Sequence, residues 1–217
     1  IIMFLTRKKN ILILSPHTDD AELGAGGTII KLLENGYYIK WIVFSTAEES
    51  VPKGFNKDSL KNEFLDVMHD LNLEQTHYDI YNFRVRYLHE KRQEILEILV
   101  KEKNIFKPDL VIGPSQNDVH QDHQIVSNEM IRAFKVESSI IAYELPWNHF
   151  NFNSQYFVTL NENIIQKKLS VLNNYKTQLS LKRNYFSEET IKGLARIRGA
   201  QSNANYAESF EVIKWIE

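Results

Sequence analysis

Two short stretches of the chain concentrate residues that can bind metal and move protons. The first is SPHTDDAELGAGG (15–27), directly after the apolar run ILIL, and it supplies His17, Asp19 and Asp20. The second is NDVHQDH (117–123), shortly after LVIG, and it supplies Asp118, His120, Asp122 and His123. The end of a buried strand is an expensive place for ionisable groups unless their charge is used. His and Asp are zinc-type ligands, and three protein ligands plus water make the catalytic arrangement. The chain has no cysteine, so a metal must be held by His and carboxylate. His17 and Asp20, three apart across a turn, can reach one ion, and His123 at a helix start can supply the third ligand. Asp19 and His120 are then left beside the metal without ligand duty. A carboxylate near an activated water can take its proton, and a histidine opposite can give a proton or hold developing negative charge. The bland alternative is a solvated turn with Asp as helix cap and two helix-entry histidines; two such clusters at strand ends weigh against it.

The elements that must position these residues follow from periodicity. NILILS (10–15) reads as a buried strand, GGTIIKLLENG (26–36) as a helix with Gly36 at its end, and YYIKWIVFS (37–45) as a second strand. A loop (46–58) precedes a helix capped by Asp58 and carrying Leu60, Phe64, Val67, Met68 and Leu71. YDIYNF (78–83) is a weaker strand and EKRQEILEILVKEKN (90–104) an amphipathic helix. PDLVIGPS (108–115), HQIVSNEMIRAF (123–134) and SSIIAYEL (138–145) read as strand, helix, strand. This alternation indicates an α/β fold with a mostly parallel sheet. In open sheets of this kind ligands bind beyond the carboxyl ends of the strands, which puts both clusters on one rim. After about residue 150 the rhythm changes to a strand, two helical segments and a final alternating strand, SFEVIKW, with no linker between. The expectation is a single domain, 1–217, with a core of about 1–150 and a C-terminal subdomain of about 151–217 packed onto it.

Composition narrows the function classes. The 217 residues carry a formal net charge of −2 and 43% hydrophobic residues. That is enough for a sizeable core, and it gives no basis for nucleic-acid or anionic-membrane binding. The apolar runs are far too short for a membrane span and no secretory signal pattern opens the chain, so a cytoplasmic location is expected. GAGG (24–27) lacks full dinucleotide-loop spacing, and its small residues read instead as allowing the helix to approach the first strand and the metal loop. Asp118 is evenly balanced between supporting the site and forming a turn. His149 is a pocket candidate; nearby Trp147 and Phe150 fit either a sugar face or, more safely, core packing.

PHTDDAELGAGG followed far downstream by NDVHQDH resembles the PIG-L/LmbE-like family of metal-dependent N-deacetylases. The late stretch RIRGAQSNANYAESF (196–210) is similar to that family's closing segment, and the resemblance spans nearly the whole chain. It implies a Rossmann-like three-layer fold, zinc as the usual metal with iron or manganese as substitutes, and His17, Asp20 and His123 as ligands. It implies Asp19 as general base and His120 as proton donor or oxyanion stabiliser, with Asp122 orienting His120. It also implies an N-acetylglucosamine-type small-molecule substrate. Thr18, Ala21 and Lys61 depart from the family's common residues without removing any of these groups. Homo-oligomerisation is compatible with this reading. The rival readings are another metal-dependent amidase or esterase, and a non-catalytic sugar-nucleotide-binding Rossmann-like domain. The closing segment, with Arg196, Arg198 and Glu208, is expected to support the pocket.

Overall fold

The computed structural model describes residues 10–216; the opening segment, read above for a signal pattern, lies outside them. The chain runs β1 (Asn10–His17), α1 (Asp20–Glu34), β2 (Tyr38–Ser45), α2 (Ser59–Asp70), β3 (Tyr78–Ile80), α3 (Arg92–Ile105), β4 (Leu110–Pro114), α4 (Gln121–Phe134) and β5 (Ser139–Tyr143). It continues through β6 (Tyr156–Leu160), α5 (Glu162–Leu172), α6 (Lys176–Ser180), α7 (Glu188–Gln201) and β7 (Tyr206–Lys214). The sheet order is β3-β2-β1-β4-β5-β7-β6. Strands β3 to β5 in that order pair in parallel, and β7 runs antiparallel between β5 and β6. This is the three-layer Rossmann-like α/β architecture that the alternation indicates.

The period of two along each strand divides the core between two faces. Ile11, Ile13, Ile39, Trp41 and Val43 point into a cluster closed by α1, α2, α5 and α7. Leu12, Leu14, Ile42, Phe44 and Val111 point into a second cluster closed by α3 and α4. Strands buried on both faces must be apolar at every position, which is why ILIL and LVI carry no alternation. Among the described residues no helix is long and apolar enough to cross a membrane.

Several boundaries differ from expectation for identifiable reasons. Helix α1 begins at Asp20, so GAGG lies inside it rather than before it. Its glycines serve close packing, but not mainly against β1. A Cβ on Gly24 would sit 2.6 Å from the Tyr143 ring of β5, and one on Gly27 would sit 2.5 Å from Leu160 of β6. Asp58 occupies the N-cap of α2 but its side chain makes no capping bond. The strand expected over 78–83 is regular only to Ile80. Tyr81 and Phe83 still donate backbone bonds to Val43 and Phe44, but out of regular register.

The C-terminal part is stitched into the sheet. The Glu208 carboxylate on β7 accepts the Gly27 and Thr28 backbone N–H groups at 2.8 and 2.7 Å and the Lys168 ammonium at 2.7 Å. All of these groups are buried, so removing any one leaves an uncompensated charge or donor. Arg198 of α7 forms a bidentate pair with Glu144, just after β5. We infer that the chain folds as one unit. A fragment ending at residue 150 is then expected to give no cooperative unfolding transition and no protease-resistant core; a stable fragment of that length would contradict it. Gly24→Ala tests the close approach. Helix propensity favours alanine by up to about 1 kcal/mol, whereas overpacking costs about 1–3 kcal/mol. Because Tyr143 is fully buried and cannot retreat, the expected result is a lower urea midpoint.

Candidate metal centre and active site

Strand order reverses between β1 and β4, since β1 leads outward to β2 and β4 leads the other way to β5. The two strands diverge at their carboxyl ends and open a crevice there. His17 is the last residue of β1, Asp20 the first of α1, and His120 the N-cap of α4, with His123 in the first turn of that helix. The crevice therefore brings together residues about a hundred positions apart.

The ligand atoms converge tightly. His17 Nδ1 lies 3.2 Å from Asp20 Oδ2, His123 Nε2 lies 3.2 Å from the same oxygen, and the two nitrogens are 3.3 Å apart. A tetrahedral ion with bonds of about 2.0–2.1 Å spaces its ligand atoms about 3.3 Å apart. The triangle thus fits a zinc-sized ion with nitrogen and oxygen donors. The outward nitrogens are also engaged: His17 Nε2 meets Asp122 Oδ2 at 2.9 Å, and His123 Nδ1 meets Asp118 Oδ2 at 2.7 Å. Such carboxylate–histidine pairs fix the tautomer and turn the remaining nitrogen toward a metal. The His17 backbone N–H, donating to Asp20 Oδ2 at 2.8 Å, holds that carboxylate in place. His17, His120 and His123 form a looser alternative set, with ligand atoms within 4.8 Å of one another.

Asp122 therefore has a different role from the one expected. Its carboxylate holds His17, and it is its backbone N–H that donates to His120 Nδ1, at 3.2 Å. The Asp122 carboxylate is committed to His17 and to the N–H groups of Arg86 and Leu88, which leaves only its backbone for the ring at 120. With Nδ1 accepting, the proton of neutral His120 sits on Nε2. Burial, reinforced by His123 and His17, pushes the His120 pKa down to about 4, so the ring is neutral at ordinary pH. Asp118 both supports His123 and shapes the turn, since its Oδ1 accepts the His120 N–H at 2.8 Å.

Electrostatics mark the centre. Burial opposes the His123 cation, but Asp20 and Asp118 outweigh it and bring the pKa up to about 10. Burial also opposes ionised Asp20, yet His123 and His17 hold its carboxyl far below the usual range. The two carboxylates against His123 present the negative charge that a divalent cation would use.

Asp19 sits at the N-cap of α1 with φ 79°, a left-handed conformation that costs a non-glycine residue energy. Its N–H donates to the Tyr175 hydroxyl at 3.1 Å, and that hydroxyl donates in turn to the Glu22 carboxyl. Burial, then Asp20 and Glu22, raise the Asp19 carboxyl well above its ordinary value, with Arg183 and His123 acting in the opposite sense.

His17, Asp19, Asp20, His120 and His123 line one open cleft of about 350 Å³. Its wall includes Trp147 stacked on Tyr185, ring centroids 4.3 Å apart. Trp147 thus lines the cleft and also packs, partly buried, against the core. Phe150 is 91% exposed and fits neither expectation. His149 is not part of the lining; its Nδ1 engages Leu145 O at 2.7 Å. Arg196, Arg198 and Glu208 do not line the cleft either; they brace the scaffold, with Arg196 lying over the Tyr206 ring. Sequence reasoning missed Tyr175, Gln178, Arg183 and Tyr185, which come from a segment carrying no motif. It also missed Glu22, whose adjacency to Asp19 and Asp20 was the available signal.

Comparison with known proteins shows the family and the fold. The family model described as PIG-L, GlcNAc-PI de-N-acetylase, matches residues 12–134, which includes both clusters. The chain is 25% identical over 174 residues to the uncharacterized deacetylase YaiS of Escherichia coli K12, covering 79% of this chain and 92% of that protein. It is 23% identical over 237 residues to the diacetylchitobiose deacetylase of Thermococcus kodakarensis, covering 96% and 84% respectively. Among solved structures, the 4-carboxy-2-hydroxymuconate hydratase GalB of Pseudomonas putida KT2440 shares the fold, with TM-score 0.78, 19% identity and coverage of 96% and 98%. With its model matched across more than half of the chain, from β1 through α4, this protein belongs to the PIG-L family of de-N-acetylases.

Proposed function

We propose that this chain is a zinc-dependent hydrolase that removes the N-acetyl group from an N-acetylglucosamine-type amino sugar or its conjugate. The observation that carries the reading is the triangle of His17 Nδ1, Asp20 Oδ2 and His123 Nε2, with edges of 3.2–3.3 Å, at the floor of a cleft that also holds Asp19 and His120. The amino-sugar class is drawn from the family description and from the diacetylchitobiose deacetylase relative. Zinc is drawn from the donor set, two imidazole nitrogens and a carboxylate oxygen at tetrahedral spacing.

His17, Asp20 and His123 would hold the zinc, which when bound would supply polarisation of the amide carbonyl and a water whose pKa falls from 15.7 to about 7. The remaining work falls to the protein. Asp19 accepts the proton of the attacking water; burial, with Asp20 and Glu22 beside it, raises its affinity for that proton. The water oxygen bonds to the carbonyl carbon, and charge gathers on the former carbonyl oxygen. His120, neutral and carrying its proton on Nε2, donates a hydrogen bond to that oxygen. Its depressed pKa favours this role over full proton transfer. Asp19 then returns its proton to the nitrogen as the C–N bond breaks, giving acetate and the free amine. Trp147 and Tyr185 offer an apolar wall against which a sugar face can lie.

Acetate release from N-acetylglucosamine conjugates by zinc-loaded protein tests the activity. Because a hydratase shares the fold, an assay that finds water addition without acetate would redirect the assignment. Asp19→Asn keeps size and most hydrogen bonding but cannot take a proton; turnover should fall by about 10²–10⁴-fold with metal content unchanged. His120→Ala should also keep its metal and lose about 10²–10³-fold in kcat. His17→Ala should instead lose metal first. If metal-replete Asp19→Asn and His120→Ala both work at the unmutated rate with chemistry limiting, the mechanism is wrong. Asp118→Asn removes the carboxylate behind His123, and chelator competition should show zinc affinity reduced by about 10–100-fold.

A further inference from the structure

Seven arginines lie among the described residues. Arg84 pairs with Glu49, Arg92 and Arg132 share Glu129, and Arg198 is held by Glu144. Arg196 covers the Tyr206 ring. The two left over, Arg86 and Arg183, both line the cleft above the His17–Asp20–His123 triangle. Both are exposed, and among the described residues neither forms an ion pair with a carboxylate.

Their placement is built. Arg86 holds φ 71°, a left-handed backbone that any residue with a Cβ adopts at a cost of about 1–2 kcal/mol. Its N–H donates at 2.6 Å to Asp122 Oδ2, the oxygen that also engages His17 Nε2. The root of this side chain is therefore fixed to the support of the metal centre. Arg183 enters from the turn after α6, with its guanidinium against the Tyr185 hydroxyl and 5.7 Å from that ring. Arg183 also acts on the Asp19 carboxyl, but a neutral sugar leaves the Arg86 guanidinium without use at the mouth of a site whose ligands would hold a metal cation. Guanidinium groups match the oxygens of phosphate and carboxylate in geometry as well as charge.

We propose that Arg86 and Arg183 form an anion-binding subsite, and that the amino sugar taken here carries a phosphate or carboxylate group in addition to its N-acetyl group. The amino-sugar half rests on the function proposed above; the anion preference does not require turnover. Zinc-loaded full-length protein is titrated calorimetrically at low ionic strength with N-acetylglucosamine, N-acetylglucosamine 1-phosphate and N-acetylmuramic acid. At least one anionic sugar should bind ten-fold or more tightly than the neutral one, and the stronger of the two identifies phosphate or carboxylate as the source. Raising the salt should shrink the ratio, because exposed charges are screened. In Arg86→Gln and Arg183→Gln the ratio of anionic to neutral affinity should fall towards one while zinc content is retained. Anionic sugars binding no better than the neutral sugar, including no binding of any of them, would overturn the proposal. So would a preference that persists in the double variant, since the anion would then lie on the metal. Substitutions that weaken neutral and anionic sugars equally would point to a role in the reaction itself and equally overturn it. Anion selectivity without acetate release would leave this inference standing and remove the deacetylase reading instead.

Discussion

Three ionisable groups, His17, Asp20 and His123, are buried with their ligand atoms 3.2–3.3 Å apart. Such a concentration of charge away from water is tolerable only if every remaining polar atom is satisfied. Asp122 and Asp118 meet that requirement for the two imidazoles, and the His17 backbone meets it for Asp20. The supports need support themselves. Asp122 also accepts the N–H groups of Arg86 and Leu88, and Asp118 accepts that of His120. The loop before α3 and the entry to α4 are shaped by this chain of obligations, which starts at the ligands and runs outward.

The C-terminal part meets the centre from the other side. Tyr175 comes from beyond α5 and links the Asp19 backbone to the Glu22 carboxyl, whose pKa burial raises to about 7. Burial also raises the tyrosine's own pKa, so the hydroxyl remains a donor. Arg183 and Tyr185 then complete the cleft wall. The Rossmann-like core supplies the chemistry and part of the walls, and the later segment supplies the rest.

Much of this was legible in the residues. The doubly apolar strands, the helices and the two clusters at strand ends are local patterns, and the sheet's reversal between β1 and β4 brings the clusters together. What was not legible depends on contacts between segments without motifs. The Asp19–Tyr175 bond spans 156 positions, and nothing near residue 175 marks its partner. Asp122, which the family resemblance assigns to orienting His120, does so only through its backbone N–H, while its carboxylate holds His17, 105 positions away. GAGG was correctly taken as a packing device, but its partners, Tyr143 and Leu160, lie on strands whose order in the sheet no local pattern discloses.

The position of β7 between β5 and β6 has a consequence for how the molecule is made. A ribosome delivers β1 to β5 first, yet the exposed edge of β5 waits for a partner that is synthesised some seventy residues later. Until then the Gly27 and Thr28 amides lack Glu208, and Lys168 lacks its counter-charge. An open parallel sheet with a bare apolar edge is prone to pair with a neighbouring nascent chain. Pairing of β7 with β5 is therefore a late step of vectorial folding, and a chain cut short before β7 leaves a bare-edged sheet instead of a smaller enzyme.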